Sequence, residues 1–134
     1  MNKIIQQPIY NANKTECLQI GYDLFNNQIS IIPFLPTTKK VPSVLPKEIT
    51  NLKSAFKGNE NEFIDGIQYW DTSNVTNMSR MFYEAQNFNQ PIGNWDSSNA
   101  TNMEYMFYEA KNFNQPIGSW NTSNVKDMTK MFFR

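Results

Sequence analysis

Acidic side chains recur at fixed positions of this 134-residue chain and are the first candidates for chemistry. Glu84 and Glu109 lie 25 residues apart, and so do Asp71 and Asp96. Two neighbouring carboxylates can act as a general acid and base, or they can hold a cation such as Ca²⁺. No calcium-loop pattern surrounds either pair, and the aspartates are better explained as turn or cap residues.

The rest of the composition gives no support to catalysis. The chain has no histidine, which is the usual general base and the commonest metal ligand. Its one cysteine, Cys17, is interpreted as a buried structural residue. The serines have no base beside them, and the five glycines form no phosphate-binding loop. We therefore predict a non-enzymatic protein without catalytic residues, metal ligands or a cofactor. Weak cation binding stays an alternative, for which a thermal shift with calcium is the test.

The charge pattern argues against nucleic acid and membrane surfaces as partners. Twelve basic and twelve acidic residues give a formal net charge of zero, whereas nucleic-acid binding favours a basic stripe. There is no polybasic run and no long apolar segment. The N-terminus is broken by Gln6, Gln7 and Pro8 and shows neither a signal peptide nor the small-residue sequence that precedes a lipoprotein cysteine. This pattern predicts that the chain either stays inside the cell or is a fragment that has lost its export signal.

The position of the acidic residues is set by a repeat. Trp70, Trp95 and Trp120 lie 25 residues apart, and each begins a near copy of one unit. The first two units are identical at 19 of 25 positions. Such a period predicts a solenoid, in which each unit buries its apolar face against its neighbours. The tryptophans and the recurring methionines are therefore expected in the core.

Each unit divides into two predicted elements. Val75, Met78, Phe82 and Ala85 are spaced like one face of an α-helix. The segment 88–95 has apolar residues at extended spacing and predicts a short strand. Strands stack more closely than helices, so the predicted α/β solenoid should curve with its strands inside. Asn74, Asn99 and Asn124 should form a ladder that binds the turn backbone.

The N-terminal third predicts a β-hairpin that caps the solenoid. Alternation from Cys17 to Phe34 surrounds the turn residues Asn26 and Asn27. We divide the chain into residues 1–43, comprising a tail, the hairpin cap and a linker, and a solenoid over 44–134. The solenoid contains a degenerate repeat at 44–69, repeats at 70–94 and 95–119, and a partial repeat at 120–134.

The unit W-D/N-T/S-S-N-V/A-x-N/D-M-x-x-M-F resembles the BspA-like leucine-rich repeat family, in particular its lipoprotein-associated branch in mollicutes. The segment KKVPSVLPKEITNLKSAF resembles the region that precedes the repeats in that branch. The resemblance covers Val44 to Arg134 and implies a short, curved, right-handed solenoid of leucine-rich-repeat type. It also implies a surface protein that acts in adhesion or host contact.

The resulting hypothesis is a protein-binding repeat module, with a host surface or matrix protein as the partner. The expected contact residues lie on the aromatic flank or the strand side: Tyr83, Tyr108, Phe133, Gln90, Asn94 and Gln115. An intracellular structural module or recombination fragment without its own ligand is the alternative. Met128, Met131, Phe132 and Phe133 leave an apolar end, which predicts self-association through the C-terminal repeat.

Overall fold

The computed structural model describes residues 2–133, and its regular strands all lie before residue 32. The elements are β1 (Lys3–Gln6), β2 (Ile9–Tyr10), β3 (Cys17–Gln19), β4 (Tyr22–Phe25), β5 (Gln28–Ile31) and a 3-10 helix (Ile67–Tyr69). None of the helical structure within residues 2–133 has the length and apolar character that a membrane span requires.

The strands form two small antiparallel sheets, with the orders β1-β4-β5 and β2-β3. Asn26 and Asn27 connect β4 to β5 with φ angles of 52° and 63°, which a tight hairpin turn requires. The hairpin predicted around these asparagines is confirmed, although its first strand is divided into β3 and β4. The N–H of Ile31 donates to the Asn51 carbonyl at 2.9 Å, so β5 is bonded to the degenerate repeat at 44–69.

The predicted α/β, right-handed solenoid of leucine-rich-repeat type is wrong. Residues 2–133 contain no α-helix, and their regular strands form only the two small N-terminal sheets. The helix predicted over 75–85 and the strand predicted over 88–95 are both replaced by turns and irregular backbone. Because no layer of helices opposes a layer of strands, the predicted curvature loses its physical cause.

Left-handed backbone conformations explain why the helix does not form. In each of the three repeats before residue 120, two residues have a positive φ angle and lie four positions apart: Ser54 and Gly58, Arg80 and Glu84, Tyr105 and Glu109. Such a residue reverses the helical sense of the chain and ends an α-helical turn. Between them the chain folds in tight turns, in which the N–H of Tyr83 donates to the Arg80 carbonyl at 3.2 Å.

The repeats bind each other through the same backbone. Alternate N–H groups of one repeat donate to carbonyls of the next, at 2.7–2.9 Å: Met78 to Asn102, Arg80 to Glu104, Phe82 to Met106, and Glu84 to Tyr108. Single parallel bridges connect equivalent positions: Asn51 to Asn77, Asn77 to Asn102, and Asn102 to Asp127. The sequence copies therefore lie side by side, joined by hydrogen bonds at every second residue.

One continuous apolar core runs through the repeats. Phe34, Phe56, Phe82, Phe107 and Phe132 form a column of stacked rings, with 4.8–5.6 Å between successive centroids. The three tryptophans are buried as predicted, and each indole N–H donates to a carbonyl 28 residues earlier. The repeat methionines are buried except Met128, which is 43% exposed. The core prediction thus holds for nearly every repeated apolar position.

Candidate functional site

Three aromatic side chains form a partly exposed row, here called the aromatic strip and comprising Tyr83, Tyr108 and Phe133. Neighbouring rings stack with 4.9 Å between centroids and 9° between planes, both for Tyr83–Tyr108 and for Tyr108–Phe133. The two tyrosines are half-buried, and Phe133 is 42% exposed. The sequence prediction therefore brought these three residues together correctly.

The repeat backbone positions the strip. The carbonyl of Tyr83 accepts from the N–H of Gly58 at 2.7 Å, and that of Tyr108 accepts from the N–H of Glu84 at 2.7 Å. Each ring is therefore placed by bonds to the preceding repeat. Because these bonds recur at equivalent residues, the distance between neighbouring rings is set by the packing of one repeat on the next.

Tyr105 and three cations flank the strip and were missed by the sequence analysis. The Tyr105 ring meets Tyr108 edge-on at 5.5 Å, and the Arg80 guanidinium lies 4.7 Å from the Tyr105 centroid. Lys57 Nζ lies 5.5 Å from the Tyr83 ring, and Lys130 Nζ lies 5.2 Å from Phe133. Arg80 has a positive φ angle of 56°, and its guanidinium lies against the rings of Tyr83 and Tyr105.

Both signs of charge lie beside this surface, since three cationic side chains contact the rings and Glu84 and Glu109 act on Tyr108. Within residues 2–133, no ion pair involves Lys57, Arg80 or Lys130, whereas Glu109 lies 3.8 Å from Lys111. Partial burial raises the pKa of Tyr108, and the neighbouring Tyr83 and Glu109 raise this pKa further. The Tyr108 hydroxyl thus remains a neutral hydrogen-bond donor well above neutral pH.

The three amide residues predicted to contact a partner differ in their burial and in their hydrogen bonds. Gln90 is buried, and its Oε1 accepts from the N–H of Ile64 at 2.8 Å. Asn94 is exposed and donates to the Gln68 carbonyl at 3.3 Å. Gln115 is half-buried and donates to the Asn89 carbonyl at 3.1 Å. The prediction that Gln90 reaches the surface is wrong, because repeat-to-repeat bonding uses its side chain inside the protein.

The recurring aspartates serve the turns, as predicted. Asp71 Oδ1 accepts from the N–H of Ser73 at 3.0 Å, and Asp96 Oδ1 accepts from that of Ser98 at 2.9 Å. Side-chain and backbone hydrogen bonds from these serines lower the pKa of both carboxyls. In the described part of the chain, no three histidine, cysteine or acidic residues are grouped to hold a metal.

Cys17 lies in the core, as the sequence analysis expected. Its side chain is 1% exposed, and the thiol donates to the Gln19 carbonyl at 3.1 Å. Burial raises the pKa of this thiol to about 11. Since the thiolate is the reactive form, Cys17 is chemically inert at neutral pH.

Comparison with known proteins gives a family but no characterised relative. Neither a curated protein nor a solved structure matches the chain. A family described as "Mycoplasma protein of unknown function, DUF285" matches residues 37–134, which include all of the repeats. The chain, with its 25-residue repeats, therefore belongs to that Mycoplasma family.

Proposed function

We propose that this chain is a non-enzymatic protein-binding repeat module and that the aromatic strip contacts its partner. The observation that carries the proposal is a row of three stacked, partly exposed rings. Large rigid aromatic side chains lose little conformational freedom on binding and dominate the energetics of many interfaces. By contrast, Phe56, Phe82 and Phe107, which pack in the core, are at most 2% exposed.

The cations beside the strip suggest the chemistry of the partner. Lys57, Arg80 and Lys130 lie against the rings and have no carboxylate within ion-pair distance among residues 2–133. A protein segment with acidic and apolar side chains would complement both the charge and the exposed ring edges. We therefore infer an acidic segment of a partner protein as the occupant of the strip.

A surface location and a role in adhesion belong to the same proposal. They rest on the resemblance of the repeat unit to BspA-like surface proteins. Protease treatment of intact source cells tests the location, because peptides that span Trp95 should be released before lysis. If they appear only after lysis, the partner must be sought inside the cell.

The binding role is tested by substituting Tyr83→Ser and Tyr108→Ser together. Proteins from a host-cell membrane extract are captured on the immobilised chain and quantified by mass spectrometry. We expect the wild-type chain to enrich a partner and the double variant to lose it, with a cost of about 2 kcal/mol per ring. Capture should also weaken as ionic strength rises, since the inferred contact is partly electrostatic.

A matched control removes two exposed aromatic side chains elsewhere. Phe63 and Tyr69 are 47% and 71% exposed, so F63S/Y69S should keep the partner. Equal capture by wild type, strip variant and control would contradict the proposal. Marked unfolding of the strip variant in circular dichroism would show instead that the two tyrosines belong to the core.

A further inference from the structure

A polar groove crosses three neighbouring repeats. Its volume is about 600 Å³, and it is lined by Glu60, Glu62 and five asparagines: Asn61, Asn87, Asn89, Asn112 and Asn114. No apolar or cationic side chain lines it. An apolar ligand would therefore gain nothing from burial here, and an anionic ligand would be repelled by the two carboxylates.

Part of this lining is held rigidly by hydrogen bonds. Asn87 Nδ2 donates to the Glu60 carbonyl at 3.0 Å. Asn89 Oδ1 accepts from the N–H of Asn114 at 2.9 Å and from Gln115 Nε2 at 3.1 Å. These bonds use one end of each carboxamide and fix its plane. The other ends, Asn87 Oδ1 and Asn89 Nδ2, have no bond within residues 2–133, so an acceptor and a donor are already oriented.

Further polar groups of the groove are unused by the fold. In the described chain, the side chains of Asn112 and Asn114 and the carboxylates of Glu60 and Glu62 make no hydrogen bond or ion pair. The groove therefore offers donors and acceptors side by side. A lysine or arginine side chain has donors only and would leave the amide N–H groups unmatched. A hydroxyl group both donates and accepts, so a polyhydroxylated neutral ligand matches the whole set.

The groove also repeats along its length. Asn87 and Asn112 occupy equivalent positions of successive units, as do Asn89 and Asn114. The equivalent rings of Phe88 and Phe113 lie 5.8 Å apart, and other equivalent rings of these two repeats lie 4.9–6.4 Å apart. A chain of similar sugar rings advances by comparable steps, whereas a single sugar would fill only one of them. The regular array therefore favours an oligomer.

We propose that this groove binds a neutral oligosaccharide, with Asn112 and Asn114 contacting its hydroxyl groups. The site is separate from the aromatic strip and does not depend on the proposed protein partner. Because the bound ends of Asn87 and Asn89 are already fixed, little side-chain freedom is lost when the ligand binds.

The test measures binding of the full chain to an array of neutral hexasaccharides of glucose, galactose, mannose and N-acetylglucosamine, with oligolysine and sulfated glycans as charged probes. We expect at least one neutral hexasaccharide to bind. The N112A/N114A variant, which removes only unbonded carboxamides, should bind it about tenfold or more weakly, as loss of two hydrogen bonds predicts. The N74A/N94A variant removes two exposed carboxamides outside the groove and should bind like wild type.

Three results would overturn the proposal. The first is that no neutral hexasaccharide binds at concentrations on the order of 1 mM, the weak limit of useful recognition. The second is undiminished binding by N112A/N114A. The third is binding of oligolysine alone, lost in high salt, which would make the groove an electrostatic surface for cations. Circular dichroism of both variants ensures that a loss of binding reflects the groove and not unfolding.

Discussion

Each of the three repeats before residue 120 contains two residues that adopt a left-handed backbone, and most of these residues are not glycine. Glu84 and Glu109 both have φ angles of 58°, whereas Gly58 occupies the equivalent position of the first repeat. A residue with a Cβ atom pays about 1–2 kcal/mol in this conformation. The structure tolerates the strain because the N–H groups of these residues themselves donate to carbonyls of the next repeat. These positions are therefore sites where the sequence can be improved.

Replacing Glu84 with glycine should stabilise the protein. The relief of strain outweighs the greater flexibility of glycine in the unfolded chain, so we expect a gain of about 0.5–1 kcal/mol in the free energy of unfolding. Urea denaturation followed by tryptophan fluorescence measures it. Gln86→Gly is the control, because Gln86 is exposed and lacks a positive φ. That control should destabilise, and a similar loss for E84G would refute the argument.

At the scale of the element, the column of phenylalanine rings takes the place of a helix or sheet layer. Most of its rings come from successive repeats, and Phe82 and Phe107 lie nearly parallel, with 3° between their planes. The inner rings are buried from all sides, while Phe132 is 55% exposed. Stability should therefore depend strongly on position along the column.

Substituting Phe107→Ala should cost about 3–5 kcal/mol, as expected for a buried ring that leaves a cavity. Phe132→Ala should cost about 1 kcal/mol, because much of that ring is already in water. Both values come from urea denaturation of the purified variants. Equal losses in the free energy of unfolding at the two positions would mean that stability does not depend on position along the column.

At the scale of the whole molecule, the last described repeat exposes apolar side chains. Met128 is 43% and Phe132 55% exposed, and Phe132 continues the column of rings that fills the core. A second copy of the chain could place its own Phe132 against this end and bury both rings. We therefore predict that two copies of the chain associate through Met128 and Phe132.

Analytical ultracentrifugation over a range of concentrations measures this association. We expect a concentration-dependent dimer of the wild-type chain and a monomer for M128S/F132S, which leaves Phe133 and the aromatic strip unchanged. The F63S/Y69S variant should dimerise like wild type. A wild-type chain that stays monomeric at its highest soluble concentration would exclude this contact.

The repeat alone predicted a good part of what is observed. Identical residues at 25-residue spacing must occupy equivalent environments, so the buried tryptophans and the alignment of Tyr83 with Tyr108 followed without knowledge of the backbone. The asparagine ladder was also predictable in outline. Asn99 and Asn124 donate to the carbonyls of Ser73 and Ser98, although both asparagines are exposed. The hairpin turn at Asn26 and Asn27 depended on local turn chemistry.

The tertiary structure decided the form of the backbone between those residues. The spacing of Val75, Met78 and Phe82 is compatible with a helix, but it is equally satisfied by tight turns that return to the same side. A neighbouring repeat offers carbonyls to alternate N–H groups, and these bonds outweigh the local preference for helix. Arg80, which has a positive φ angle, lies against the tyrosines. Burial of Gln90 and the asparagine-lined groove arise likewise from contacts between repeats, which no single repeat encodes.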